Sequence, residues 1–354
     1  MSRYFSEKFR NITPYVPGEQ PQDKKYIKLN TNESPFPPSP KAQSYAMAAA
    51  EKLQLYSDPE CKVLTKKLAE NLGVSPDQIV LTNGSDEILN FVFLAFCDET
   101  HGVAFPDISY GFYPVYANLY NIPAKQIPLR EDFTICADDY VGLNRTIVLA
   151  NPNAPTGLNL SLDEIETIVK GNPDNVVVID EAYVDFGGVS AIKLLPKYDN
   201  LVITRTFSKS RSMAGGRLGF AVGNKDVIAD LTAIRFSTNP FNINAMTMAA
   251  GIGSLEDEEY FVDNCKTIIK NREWTTTALR ELGFTVIDSL TNFVFAAHSA
   301  IGGKELYLKL KDRGVLVRHF SGPRLNPYIR VTIGSEEEMK AMIAATRAVL
   351  EEVI

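Results

Sequence analysis

The chain is poor in the residues that metal and redox chemistry need. Its 354 residues include four cysteines, three histidines and one tryptophan. Cys61, Cys97, Cys136 and Cys265 are scattered and form no CxxC pair, which reads as reduced thiols of a cytoplasmic protein, mostly filling core. His101, His298 and His319 are equally dispersed, and nothing in their spacing suggests a metal site. No apolar run reaches the roughly 18 residues that a membrane helix needs. Met1–Arg10 mixes charges with aromatics, unlike the apolar stretch of a secretory leader. Repeats and low-complexity segments are absent. Basic stripes are absent too, and the net charge is -7, which argues against a nucleic acid or an anionic membrane as partner. A local cationic pocket for an anionic substrate remains compatible with that balance.

The composition, 45% hydrophobic and 22% charged, is that of a globular chain long enough for one large domain and a smaller one. The first 40 or so residues are rich in Pro, Asn and Gln (PYVPGEQPQ, NESPFPPSP) and read as an extended arm lying on something else. Short apolar strands then alternate with helices. The strands are IVLT (79–82), VAF (103–105), TIVLA (146–150), VVVID (176–180), LVITRT (201–206) and LGFAV (218–222). They are β-branched and nearly apolar throughout, as in strands covered on both faces. Ser161 and Glu164 form a capping box that opens one helix, and Ser57-Asp-Pro-Glu60 reads as the opening of another. This pattern predicts an α/β layer with a mainly parallel sheet. Beyond about residue 235 the texture changes. A charged helical stretch over 253–282 is followed by FTVIDSLTNFVFAAH, VLVRHF and YIRVTIG as strands, and Ser335 and Glu338 cap a last helix. The expected division is an arm with a small-domain segment (1–40), a large domain (41–240) and a smaller α+β domain (241–354).

Ligands of open parallel sheets bind beyond the carboxyl ends of the strands. Four such ends carry suggestive groups. LVITRT runs into Thr206-Phe-Ser-Lys209, with Arg217 further on. Hydroxyls and an arginine suit an anion, and a lysine beside them can link to an aldehyde. Alone, an SK dipeptide is usually a surface lysine. VVVID ends on Asp180, followed by Glu181 and, two residues on, Tyr183. A carboxylate there is as often a helix cap or a structural ion pair. IVLT runs into Asn83-Gly-Ser-Asp-Glu87, where Gly84 permits a tight turn and the first helical N–H groups make an anion cradle or ordinary capping. TIVLA runs into Asn151-Pro-Asn-Ala-Pro-Thr-Gly157, a rigid turn with a candidate cis bond before Pro155, or simply a loop. No GxGxxG or GKS follows a strand, which sets a nucleotide-binding protein aside.

Together and in this order, these segments resemble the fold-type I pyridoxal-phosphate aminotransferases, and within them the histidinol-phosphate aminotransferase branch. NESPF (32–36), YSDP (56–59), GSDE (84–87), NPNAPTG (151–157), DEAY (180–183), TFSKS (206–210), GGRLGF (215–220) and YIRVTIG (328–334) match in order and spacing over essentially the whole chain. The resemblance implies the aspartate aminotransferase-like fold and pyridoxal 5'-phosphate as cofactor. It implies that Lys209 holds the cofactor and then acts as base and acid, that Asp180 pairs with the ring nitrogen, and that Tyr183 bonds the ring's phenolic oxygen. Tyr110 would stack on the ring. The backbone of Ser85 and Asp86, with Thr206, Ser208 and Arg217, would bind the phosphate. Tyr56 would reach the cofactor of a second subunit, which implies a homodimer. Arg330, with Arg318 and Tyr15, would contact the substrate. Relatives often carry Asn just before the PTG, but this chain has Ala154 there, so either Asn153 takes over or Tyr183 holds the phenolic oxygen without it. The implied reaction passes an amino group from L-histidinol phosphate to 2-oxoglutarate, in histidine biosynthesis. An aromatic aminotransferase, or a threonine-phosphate decarboxylase, would share the same cofactor grip. A regulator that kept the fold and lost the chemistry is opposed by Lys209, Asp180, Tyr183 and Arg217 occurring together.

Overall fold

The computed structural model describes residues 2–10 and 12–353; Met1, where the opening stretch read above begins, lies outside them. The arm has no helix or strand between residues 12 and 26, as its prolines dictate. It then forms β1 (Ile27–Lys28). Ser39 accepts from the N–H of Ala42 and opens α1 (Pro40–Ala50), with Pro40 at the position where a missing N–H costs nothing. The next helix starts later than the sequence suggested. Asp58 accepts from the N–H groups of Glu60 and Lys62, which makes a turn of Ser57–Glu60, and α2 runs over Lys62–Leu72.

The apolar runs lie edge to edge in a seven-stranded sheet. They are β2 (Ile79–Thr82), β3 (Val103–Pro106), β4 (Ala124–Ile127), β5 (Thr146–Ala150), β6 (Val177–Asp180), β7 (Leu201–Thr206) and β8 (Gly219–Gly223). The order is β2-β8-β7-β6-β5-β3-β4, and β8 alone runs against the rest. Every strand called from apolar runs is present within a residue or so. The edge strand β4 was missed because its first three residues, Ala124, Lys125 and Gln126, face solvent and carry no apolar signal. The helices α3 (Ser85–Phe96), α4 (Tyr113–Tyr120), α5 (Leu162–Lys170) and α6 (Lys225–Thr238) connect the strands. Phe91, Phe105 and Tyr113 fill one face of the sheet, and Ile147, Ile165 and Ile179 fill the other. The Ser161–Glu164 capping box forms as read and stabilises the start of α5 by about 1 kcal/mol.

The charged stretch over 253–282 is two helices, α7 (Ala245–Leu255) and α8 (Glu258–Glu281), parted where Asp257 leaves helical geometry. After them come β9 (Thr285–Ile287), β10 (Phe293–Ala297), α9 (Gly303–Asp312), β11 (Val315–Leu316), β12 (Arg318–His319), β13 (Tyr328–Thr332) and α10 (Glu336–Glu351). Four of these strands make an antiparallel sheet ordered β12-β13-β10-β9, covered by Ile268, Leu306 and Met342. VLVRHF is therefore two short strands, the first pairing in parallel with β1 of the arm. This is the α/β layer with a second, α+β sheet that the sequence implies. Among the described residues no helix is long and apolar enough to cross a membrane.

Candidate active site

Strand register aligns the chemistry along one edge of the large sheet. Asp180 lies opposite Ala150 on one side and Thr204 on the other, while Thr206 lies opposite Gly219, which also faces Thr82. The loops leaving these ends enclose a cavity of about 160 Å³, walled by Asp86, Tyr110, Asp180, Tyr183, Lys209 and Arg217. Ser85, Ala154, Thr206 and Ser208 also face it. A second cavity of about 460 Å³ shares Tyr110, Ala154, Tyr183 and Lys209 with the first and extends to Tyr15, Arg318 and Arg330. One amine thus stands between two spaces.

Asp180 is buried, and its carboxylate accepts from Tyr113 Oη at 3.0 Å and from Thr204 Oγ1 at 3.1 Å. Burial pushes it up to about 6 against the pull of those donors. No ion pair offsets its charge among the described residues, so the site suits a cationic ring nitrogen. The adjacent Glu181 plays no such part, being held by Arg205 at 3.0 Å.

Lys209 follows β7 and donates to the carbonyl of Thr31 at 3.3 Å. Burial, with the Arg330 and Arg217 cations adding to it, brings its amine down to about 8. A lysine there is a far better nucleophile near neutral pH than a solvated one.

The anion cradle forms where two close approaches demand glycine. Gly84 has φ of +77°, and a Cβ there would lie 2.4 Å from Arg217 Nη2. A Cβ on Gly219 would lie 2.5 Å from Ser85 N. The N-terminus of α3, Arg217 and the hydroxyls of Thr206 and Ser208 therefore converge. Those two hydroxyls bond each other at 2.9 Å. Arg217 pairs with Asp86 at 2.8 Å, and Asp86 also accepts from Tyr110 Oη at 2.7 Å.

In the larger cavity, Arg330 lies between Phe293 and Phe320, 5.2 and 5.4 Å from their centroids. Its Nη2 donates to the carbonyl of Asn30 at 3.0 Å, and its buried Nε has no partner among the described residues. A guanidinium at the cavity wall suits an anion. Arg318 donates to the arm carbonyls of Val16 and Pro17, each at 3.2 Å. Tyr15 stacks on Phe112 at 4.4 Å and closes the cavity from the arm side.

Two of the expected site residues are not at the cavity. Asn153 does not face it: its amide bonds Ser109, Ile108 and Thr156, and Ala154 lines the wall instead. Tyr56 is 85% exposed and stacks on Phe241, so within one chain it touches nothing of the site. Three functional neighbours escaped the sequence reading. Thr204 was within reach, since it shares a face of β7 with Thr206. Tyr113 carried a weak signal as the next tyrosine one helical turn after Tyr110. Asn32, which donates to Tyr183 Oη at 2.9 Å across 151 residues, carried none beyond its place in NESPF.

Comparison with known proteins gives a family and a fold. The family described as "Aminotransferase class I and II" matches residues 24–345. A histidinol-phosphate aminotransferase of Brachyspira hyodysenteriae is 48% identical over 353 residues, covering 99% of this chain and 100% of the relative. Among solved structures, histidinol-phosphate aminotransferase from Sinorhizobium meliloti, in complex with pyridoxal-5'-phosphate, superposes with a TM-score of 0.90 at 24% identity, covering 100% and 99% of the two chains. L-threonine-O-3-phosphate decarboxylase from Porphyromonas gingivalis has the same fold, with a TM-score of 0.80 at 24% identity over 92% and 99%.

Proposed function

The chain belongs to the class I and II aminotransferases, and from that premise we propose that it moves the amino group of L-histidinol phosphate to 2-oxoglutarate, with pyridoxal 5'-phosphate as cofactor. The observation that carries the substrate class is the Arg330 guanidinium at the wall of the cavity next to Lys209. The cofactor fits what the residues offer: a buried, uncompensated carboxylate, an anion cradle and a lysine of depressed basicity.

When bound, the cofactor supplies an aldehyde that links to an amine and a ring that accepts the electron pair left on the neighbouring carbon. The chain's own residues do the rest. Asp180 would hold the ring nitrogen and keep it protonated by its negative charge. The backbone N–H groups of Ser85 and Asp86, with Thr206, Ser208 and Arg217, would grip the phosphate. Tyr110 would lie against the ring, and Tyr183 would donate to its phenolic oxygen. Lys209, as a free amine, would take the proton from the substrate carbon that bears the nitrogen and return it to the carbon on the far side of that nitrogen. Arg330, with Arg318 and Tyr15 at its side, binds the phosphate of one substrate and the carboxylate of the other, since a guanidinium fork pairs with either.

Two copies of the chain complete the site. The stacked Tyr56–Phe241 pair belongs to an exposed apolar set with Leu53, Leu55 and Phe236, which suits a homodimer that carries Tyr56 to the other chain's cofactor phosphate. Met248 and Leu255 pack with Leu64 and Phe220, so the smaller unit is best begun at α8.

The test is an assay of the cofactor-loaded protein with histidinol phosphate, threonine phosphate or phenylalanine, each with 2-oxoglutarate. Rapid glutamate formation with histidinol phosphate alone is expected. Carbon dioxide released from threonine phosphate, or phenylalanine as the preferred donor, would overturn the assignment.

A further inference from the structure

Three consecutive arm residues meet three site residues that come from separate elements. The carbonyl of Asn30 accepts from Arg330 at 3.0 Å, and that of Thr31 accepts from Lys209 at 3.3 Å. The amide of Asn32 donates to the Tyr183 hydroxyl at 2.9 Å. Only Asn32 acts through its side chain, and that side chain is held from several directions. Its backbone has φ of +54°, a region asparagine tolerates better than most residues. Its N–H donates to Thr332 Oγ1 at 2.9 Å, and the Thr332 hydroxyl donates to Asn32 Oδ1 at 3.0 Å. Asn292 Nδ2 donates to the Asn32 carbonyl at 3.0 Å. Thr332 thereby fixes which end of the amide is oxygen and leaves the NH2 group facing Tyr183. Asn32 is buried, with its amide at the wall of the larger cavity beside Tyr183. The opposite wall offers Tyr183 nothing comparable: Ala154 is an alkyl group, and the amide of Asn153 is spent within its own loop.

We infer that Asn32 is a positioning residue of the reaction: its amide, locked by Thr332, occupies a lone pair of the Tyr183 hydroxyl and so turns that hydroxyl's proton toward the phenolic oxygen of the cofactor. The inference rests on the pyridoxal phosphate reading and deepens it. A hydroxyl that accepts a hydrogen bond is polarised and becomes the stronger donor. A stronger donor stabilises negative charge on the phenolic oxygen, so the visible absorbance of the lysine-bound cofactor changes at a lower pH. Thr332 and Arg330 are two residues apart on β13 and share a face, so the strand that would seat the substrate anion also anchors this donor.

The experiment is a spectroscopic pH titration of the cofactor-loaded protein. Asn32→Ala is expected to raise the absorbance midpoint by about 0.5 to 1 pH unit, the worth of one buried hydrogen bond. Tyr183→Phe is expected to raise it further, and Asn32→Ala should add nothing in the Tyr183→Phe background, because Asn32 acts only through that hydroxyl. A merely structural role would leave the midpoint unmoved or give additive shifts, and either result overturns the inference. Should Asn32→Ala lose the cofactor, Thr332→Val serves in its place, with a smaller shift in the same direction expected and no shift counting against it. A chain that takes up no cofactor at all overturns the proposed function as well, and is told apart by its lack of visible absorbance.

Discussion

The hydroxyl of Tyr113, in the first turn of α4, donates to Oδ2 of Asp180 at the end of β6 across 3.0 Å. Two neutral hydroxyls thus hold a carboxylate that burial raises to about 6. A group raised above its unfolded value contributes stability that is complete below the unfolded pKa and is lost as pH rises through the folded one. In the cofactor-free protein, the Asp180 contribution is therefore full below about 4 and gone above about 6. The unfolding free energies of wild type and Asp180→Asn, compared by urea titration, should diverge by about 2 to 3 kcal/mol between pH 4 and pH 8, with wild type losing ground. A difference independent of pH would show that Asp180 ionises normally.

Lys209 reacts with an aldehyde only as the free amine, so the rate of pyridoxal phosphate uptake should climb with pH to a half-maximum near 8. After burial, Arg330 is the largest influence that lowers it. In Arg330→Gln the half-maximum should move upward. The same variant should raise KM about 10- to 100-fold in both half-reactions, because a charge-assisted bond to each substrate is lost. Unaltered kinetics in both would remove Arg330 from the anion site.

Gly84→Ala places a methyl group 2.4 Å from Arg217 Nη2 on a left-handed backbone. The guanidinium has to swing away from the cradle. Cofactor affinity should fall about tenfold or more, with about 1 kcal/mol lost from stability. Pyridoxal, which lacks the phosphate, should bind nearly as before. An equal loss for both ligands would mean general damage rather than a weakened phosphate grip.

Tyr56→Phe keeps the stack on Phe241 and removes only a hydroxyl. The variant should sediment as the wild type does, as the proposed dimer, and hold the cofactor about tenfold less tightly. In mixed dimers with Lys209→Ala chains, the one lysine-bearing site should regain wild-type affinity, because its tyrosine comes from the other chain. Affinity that stays weak there would sink the crossing.

The large sheet was legible because its strands are buried on both faces and spell their burial as unbroken apolar runs, such as Val177–Asp180. Strand β4 was illegible because it is an edge whose polar side chains face water. The start of α2 was misjudged because Asp58 caps from a turn, four residues ahead of the first helical N–H it serves. At the site, Lys209, Asp180 and Arg217 were readable because each follows a strand whose end could be located. Asn153 was assigned on adjacency, yet its amide closes its own loop. Asn32 was hidden for the opposite reason. In a proline-rich arm an asparagine reads as a turn residue, and its partner Tyr183 is set by docking rather than by local pattern.

The docking of Asn30 and Asn32 on residues three hundred positions later has a consequence for how the protein is made. The ribosome delivers these asparagines three hundred residues ahead of Arg330 and Thr332. The seven-stranded sheet can be finished on a nascent chain while the arm still has nothing to lie on. Cofactor capture in a productive pose thus waits until Arg330 and Thr332 have been made, and a chain released before them carries the lysine but not the wall that aims it.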